Sequence, residues 1–460
     1  MLSGREVWPL VEGGKGVAAT SGLSSGAWAA AGGIGTISGV NNDLIDHNGE
    51  YVPLVYKGKT RLERHEELIE YSIAAAISQA RIGYDVSGGQ GRLHLNVLWE
   101  MGGCERVLHG VLEGAKGLIH GITCGAGMPY RLAEIAGRYN VYYYPIVSSA
   151  RAFNALWKRA YKSVSEWMGG VVYEDPWRAG GHNGLSNSED PRSPEPPRPR
   201  VQALRDTMRG FGLDQTPIVM AGGVWHLDDW ADWIDSAELG PMVFQFGTRP
   251  LLTRESPIPE SWKQKLLDVD EGGVLLHRFS PTGFYSSAVY NDFLTELVAR
   301  SDRQAAFASE PDEAGGLTVK LPFGTRGRSV FVKPEDAERI AAWTRAGFTQ
   351  AMKTPDDTLI YVAPDKAREI KRDQADCMGC LSFCKFSNWS DRDDNNTGKP
   401  PDPRSFCIQK TLQDIAHEGD VDNQLMFAGH NVYKFKQDPF YSNGFVPTVR
   451  ELVDRIVTGK

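Results

Sequence analysis

The sequence predicts a closed (β/α)8 TIM barrel with a C-terminal α/β elaboration and a cysteine-rich module, and three observations carry that fold class. From Glu6 to about Arg249 short apolar runs alternate with helical patterns, the signature of parallel βα units. Eight strand candidates fall in that span, and eight strands with eight crossovers suit a closed barrel better than an open sheet. The span of about 250 residues is the usual size of such a barrel. With 460 residues, 41% hydrophobic and 10% aromatic, the chain has ample core for one large domain and an appendage.

The strand candidates are residues 6–11, 33–38, 93–99, 117–123, 141–147, 170–173, 217–221 and 242–246. Between them, apolar residues at three-and-four spacing predict helices over 61–80, 105–115, 130–138, 150–168 and 227–237. The loop after the sixth strand ends in Pro191, Pro194, Pro196, Pro197 and Pro199, a density that excludes helix and strand and reads as an extended surface loop, with a lid as the alternative. Residues 270–376 mix strand-like runs at 274–279, 329–332 and 358–362 with one good helix at 334–346. Residues 448–457 form an amphipathic helix expected to pack back on the barrel. The expected division is a barrel over 1–270, an α/β insertion over 271–376, and a module over 377–460 that holds the cysteines and the final helix.

A formal charge of -8 gives no basic face for nucleic acid or anionic lipid, so a small or carrier-bound substrate is expected. The uncharged stretch near Gly16 to Val40 is rich in Gly, Ser and Ala and fills hydrocarbon poorly. No basic segment with a compact apolar core precedes it, which reads as a cytoplasmic chain with no membrane partner.

In a barrel the site is built by loops at the carboxyl ends of the strands, and phosphate commonly sits after strands seven and eight. Gly222-Gly223 and Gly247-Thr248 occupy those positions, so backbone N–H groups can approach a phosphate; a pair of tight turns is the plainer reading. Gly13-Gly14, Gly125 and Gly180-Gly181 fall at other strand ends, as a flat ligand on that rim requires. No phosphate-loop or dinucleotide fingerprint occurs, so a mononucleotide is preferred as the resident group. His182, in Gly180-Gly181-His182-Asn183-Gly184, reads as a general acid/base or as a loop histidine bonding backbone. Cys377, Cys380 and Cys384, with Cys407 further on, suit the corners of a [4Fe-4S] cluster, with zinc and free or disulfide-linked thiols as alternatives. Cys104 and Cys124 look like core filling.

Together the pieces EGGKGVAATSGLSSGAWAAAGGIGTISG, ITCGAGMP, YPIVSSARAF, AGGHNG, PIVMAGGVW and VFQFGTR resemble the nitronate monooxygenase (2-nitropropane dioxygenase) and flavin-dependent enoyl-acyl-carrier-protein reductase superfamily. SFCIQKTL and FAGHNVYKF extend the likeness to its branch with FMN and a [4Fe-4S] cluster, the acyl-carrier-protein dehydrogenase/isomerases of unsaturated fatty acid synthesis. Residues 312–376 have no counterpart. The resemblance implies FMN with Gly13, Gly14 and Lys15 against the ring, Asn96 and Gly125 flanking it, Gly180 and Gly181 near it, and Gly222, Gly223, Gly247 and Thr248 on its phosphate. Gln245 is a further candidate, and His182 takes the place of the catalytic histidine. Lys15 stands where relatives usually have Met, and a cation there would stabilise anionic reduced flavin.

The activity this implies is dehydrogenation, with isomerisation as an extension, of fatty acyl thioesters on acyl carrier protein. The alternatives are oxidation of a small nitronate with O2 as electron acceptor, NAD(P)H-dependent enoyl thioester reduction, and a non-catalytic flavin and cluster electron carrier. A homodimer is left open.

Overall fold

Eight parallel strands close a barrel in the computed structural model, which describes residues 1–324 and 328–459. In chain order they are Leu10–Glu12, Ile34–Ser38, Arg92–Leu98, Gly121–Gly125, Tyr142–Val147, Val171–Glu174, Ile218–Ala221 and Met242–Phe246. Leu10 lies opposite Phe244 and Val11 opposite Ile34, which closes the ring between the eighth, first and second strands. Side chains alternate in and out along each strand. Val11, Ile34, Tyr144, Val172, Val219 and Val243 fill the interior as one small cluster. Two residues further on, Glu174 and Gln245 therefore point inward at the mouth.

The outer helices bury the other strand face in the largest core. Helix Arg61–Val86 starts at a capping box between Thr60 and Glu63. The closing helix, Val449–Thr458, inserts Val449, Leu452, Val453 and Ile456 into the barrel core, as its amphipathic pattern predicts.

Several elements depart from expectation, and the first strand covers only Leu10–Glu12 where 6–11 was expected. The Pro-rich segment does not stay extended, because helix Pro197–Arg209 begins inside it; proline is tolerated in the first turn, where the missing N–H has no partner to lose. Residues 227–237 form a single short turn of 3-10 helix, Asp228–Trp230. Trp230 and Trp233 pack edge to face at 4.6 Å, and three-residue spacing suits a 3-10 turn as well as an α-helix. The expected helix over 150–168 breaks into helix Ala150–Arg159 and a kinked 3-10 segment, Tyr161–Trp167. The fourth strand starts at Gly121 rather than residue 117, because Gly117 turns the chain at φ +81°.

Beyond the barrel, strands Val274–His277 and Ser286–Val289 form an antiparallel sheet with the two-residue strand Gly181–His182. A further lobe holds the sheet of Gln304–Ala306, Thr358–Val362 and Gln350–Lys353, the hairpin Val319–Phe323 with Arg328–Val332, and helices Pro334–Arg345 and Pro364–Ala375. That lobe has its own core of Ala305, Phe307, Val330, Val332, Ile340, Leu359 and Tyr361. Among the described residues, no helix is long and apolar enough to cross a membrane.

Candidate functional site

Two adjoining cavities open at the carboxyl ends of the barrel strands, one of about 210 Å³ and one of about 80 Å³. Gly14, Glu174, Gly180, Gly247 and Thr248 line both, so together they make one elongated cleft. The structure brings His182, Lys15, Asn96, Gly125 and Gly181 to the larger cavity and Gly13, Gly222, Gly223 and Gln245 to the smaller.

The glycines differ in what they do. Gly14 lies so close to Asn96 that a Cβ would meet its side chain at 2.1 Å, so this glycine serves packing. A Cβ on Gly247 would meet nothing within 4 Å; it opens onto the cleft. Gly222 and Gly223 turn at φ +90° and +82°, a conformation that aims successive backbone groups along the cleft wall. Arg178, Arg249, Gly429 and Asn431 join them around the smaller cavity, which brings two arginines to its lining. These residues fit a phosphate at the small end and a flat ring in the larger cavity, the shape of FMN.

Lys15 is not a free cation. Its ammonium sits 2.8 Å from the Glu12 carboxylate and also donates to the Gly13 carbonyl at 3.1 Å, so the charge is matched where it stands.

His182 is carried by the short strand paired to Ser286, and its Nε2 shares a 2.7 Å hydrogen bond with the Ser280 hydroxyl. The Phe427 ring meets it edge-on at 5.5 Å. Burial without a charged partner holds the imidazole down at about 4, so it is neutral at pH 7 and able to accept a proton. His277, across Ser286 in the same sheet, is held down to about 3 by burial and then by His182. Glu174 has the opposite shift: burial, then the charge of Asp175, pushes its carboxyl up to about 8. The cleft thus presents a neutral base and a protonated acid together. Glu174 was not among the sequence candidates; its place at the end of a barrel strand, two residues beyond inward Val172, was the signal that could have found it.

The wall opposite the glycines comes from the C-terminal module, through Cys380, Leu381, Ile408, Gln409, Leu412 and Phe427. Helix Arg61–Val86 clamps the cysteine segment. Arg64 donates to the carbonyls of Cys377 and Ala375, Arg61 to those of Ser387 and Gln374, and His65 Nδ1 lies 2.8 Å from the Gly379 carbonyl. Ser382 donates to the Glu100 carboxylate at 2.9 Å, which ties the segment to the loop after the third strand.

The four cysteines face one another closely enough for their charges to interact. Among the described residues, no group of three or more His, Cys, Asp or Glu is placed so that it could hold a metal ion. Ligands of one ion at about 2.3 Å must nearly touch, whereas a cubane places each thiolate on a different corner. Donors are aimed at every sulfur: Ser387 Oγ at 3.1 Å and Gly379 N at 3.5 Å from Cys377 Sγ, the backbone N–H of Gln409 at Cys380, those of Phe386 and Ser387 at Cys384, and that of Lys410 at Cys407. Such donors suit sulfurs that carry negative charge, although burial pushes the thiols of Cys380, Cys384 and Cys407 up. Cys104 and Cys124 are buried in the barrel core.

No protein-family model matches the chain, and no curated protein matches it. Among solved structures it is similar to FabK from Thermotoga maritima, at 14% identity and a TM-score of 0.54, over 98% of this chain and 93% of that one. A single-residue variant of the same FabK matches at 12% identity and a TM-score of 0.51, over 99% and 93%. At these identities the likeness establishes a shared fold along nearly the whole length.

Proposed function

We propose that the protein is an FMN-dependent oxidoreductase that dehydrogenates a fatty acyl thioester, with His182 as base and a [4Fe-4S] cluster on Cys377, Cys380, Cys384 and Cys407. The observation that carries this reading is the composition of the cleft: a neutral histidine at the rim of a glycine-lined cradle, faced by an apolar wall of Val17, Val40, Leu381, Ile408 and Leu412. An apolar wall suits hydrocarbon next to the reacting carbons.

FMN, when bound, would supply the hydride acceptor. The chain's own residues do the rest. Gly222, Gly223, Gly247 and Thr248 would hold its phosphate, with Gly14, Asn96 and Gly125 along the ring. His182 would take the proton from the carbon next to the thioester carbonyl, and Ser280 fixes the orientation of the imidazole while it does so. The module that supplies the apolar wall keeps bulk water from the reacting carbons. For the isomerisation the same histidine, once its first proton has passed to solvent, would remove a proton from the γ-carbon of the unsaturated product and deliver it to the α-carbon, which moves the double bond one position along the chain.

The test is anaerobic mixing of oxidised holoenzyme with saturated acyl-carrier protein and no nicotinamide. Bleaching of the flavin with an unsaturated product is expected. Rapid O2 consumption with alkyl nitronates and no response to acyl thioesters would replace this reading with nitronate oxidation. Bleaching by NAD(P)H followed by reoxidation with an enoyl thioester would replace it with enoyl reduction.

A further inference from the structure

His182 has one ring nitrogen committed and one free. Nε2 shares the 2.7 Å bond with Ser280, whereas Nδ1 bonds to none of the described residues and belongs to a side chain that lines the larger cavity. Ser280 and Thr282 lie on the loop that joins strands Val274–His277 and Ser286–Val289, and neither lines the cleft. Their hydroxyls are 2.8 Å apart, and either one can be the donor. Ser280 is 2% exposed while Thr282 is partly exposed, so these groups lead from the buried imidazole toward solvent.

The backbone fills one acceptor position on each hydroxyl: Thr282 N donates to Ser280 Oγ at 3.4 Å, and Phe284 N to Thr282 Oγ1 at 3.2 Å. A hydroxyl has one proton and two acceptor positions, which leaves two complete arrangements. In the first, His182 Nε2–H donates to Ser280, Ser280 donates to Thr282, and Thr282 donates to water. In the second every donor reverses: Thr282 donates to Ser280, Ser280 donates to Nε2, and the imidazole proton sits on Nδ1. Neither hydroxyl is left unsatisfied in either. The first presents a bare Nδ1 to the cleft, which is a base; the second presents Nδ1–H, which is an acid.

We propose that Ser280 and Thr282 are a reversible proton relay, in which each proton His182 takes up at Nδ1 is matched by one released from Thr282, and each proton given from Nδ1 by one taken up there. The inference rests on His182 as the acid/base of the proposed function, and not on which substrate it serves. When Nδ1 takes a substrate proton, the Nε2–H bond breaks and that proton passes to Ser280 Oγ. The Ser280 proton passes to Thr282 Oγ1, and the Thr282 proton leaves to water. Each hydroxyl ends with one proton and the imidazole with one, now on Nδ1. Delivery from Nδ1 to a substrate carbon or to water runs the sequence backwards. Such matching suits a site where burial disfavours the imidazolium and, among the described residues, no carboxylate pairs with the ring, because the ring need never stay charged. Thr282 is then a positioning residue, which acts through Ser280 and sets the tautomer that His182 presents.

The test uses oxidised holoenzyme without substrate, labelled with nitrogen-15 histidine, the His182 signals being identified by their loss in His182→Gln. Nitrogen NMR shifts report which ring nitrogen carries the proton. The natural chain should show the Nε2–H tautomer substantially populated. In Thr282→Val the Ser280 proton has no protein acceptor but Nε2, so His182 should be held as Nδ1–H; Thr282→Ser, which keeps the hydroxyl, should restore the natural ratio. Thr282→Ala serves in place of the valine variant should that one fail to fold. In turnover with saturated acyl-carrier protein, Thr282→Val should lower kcat by at least about tenfold, with KM and FMN content as before and recovery in Thr282→Ser. A natural chain held wholly as Nδ1–H, or an unchanged tautomer ratio in Thr282→Val, would overturn the relay. An equal loss of turnover in Thr282→Ser and Thr282→Val would reduce the threonine to packing and overturn it as well. Failure of acyl thioesters to bleach the flavin of the natural chain would remove the proposed substrate, while the tautomer comparison still decides the relay.

Discussion

His182 and Glu174 are enclosed by the same cleft, but desolvation acts on them in opposite directions because one is charged when protonated and the other when deprotonated. His182→Gln should retain flavin and lose roughly a hundredfold or more in turnover, the usual scale for a positioned base; steady-state kinetics beside the flavin spectrum measure both. For Glu174 the folded value of about 8 lies above the ordinary 4.5, so the stability tied to its protonated form is fully present below about 4.5 and is lost as pH rises through 8. In flavin-free protein, the melting-temperature difference between the natural chain and Glu174→Gln should therefore drift across pH 5 to 8 and level off above. His182 has the reverse sign: its neutral form contributes stability above about 6.5 that is lost as pH falls through about 4. A flat Glu174 difference curve would mean that the carboxyl is already solvated.

At the scale of elements, two glycine positions separate ligand binding from folding. A side chain on Gly247 projects into open cleft, whereas one on Gly14 runs into Asn96. Gly247→Val should thus give protein that purifies without flavin and melts as the flavin-free natural chain does, while Gly14→Ala should lower the melting temperature of the flavin-free chain itself; calorimetry and the 450 nm absorbance distinguish them. The clamp on the cysteine segment makes a parallel case. Joint Arg61→Ala and Arg64→Ala should lower retained iron, read by metal analysis, because four backbone carbonyls around the cysteines lose their donors. The same elements show where sequence pattern was readable. Strand runs such as Ile218–Ala221 and Met242–Phe246 are marked by length and by glycine at their ends, and they lie where expected. Trp230 and Trp233 misled, because aromatic spacing reports packing and not the type of turn. Gln409 was illegible, since no local pattern records that a polar side chain far along the chain closes a cavity, whereas Glu174 could be read from its place at a strand end.

For the whole molecule, the site is shared between a barrel and a module that follows it by more than a hundred residues. The eight strands are local units and were legible. The union of His182 with Ser280, Phe427 and Gln409 depends on long-range pairing that spacing does not encode. Anaerobically purified protein should be brown-yellow, with about one FMN and about four irons per chain. Removing iron with a chelator should loosen the segment that walls the cavity and weaken flavin binding; zinc without iron or sulfide in the same analysis would refute the cluster.

That wall has a consequence for synthesis. The chain leaves the ribosome from its amino end, so the barrel through Phe246 is complete before Phe427 exists. At about 5–20 residues per second, the intervening stretch takes roughly 10 to 35 s to emerge. Throughout that interval the mouth of the nascent barrel carries Val17, Val40 and Leu251 with no lid over them. The half-made chain therefore exposes an apolar opening, and it gains a closed cavity only as translation ends.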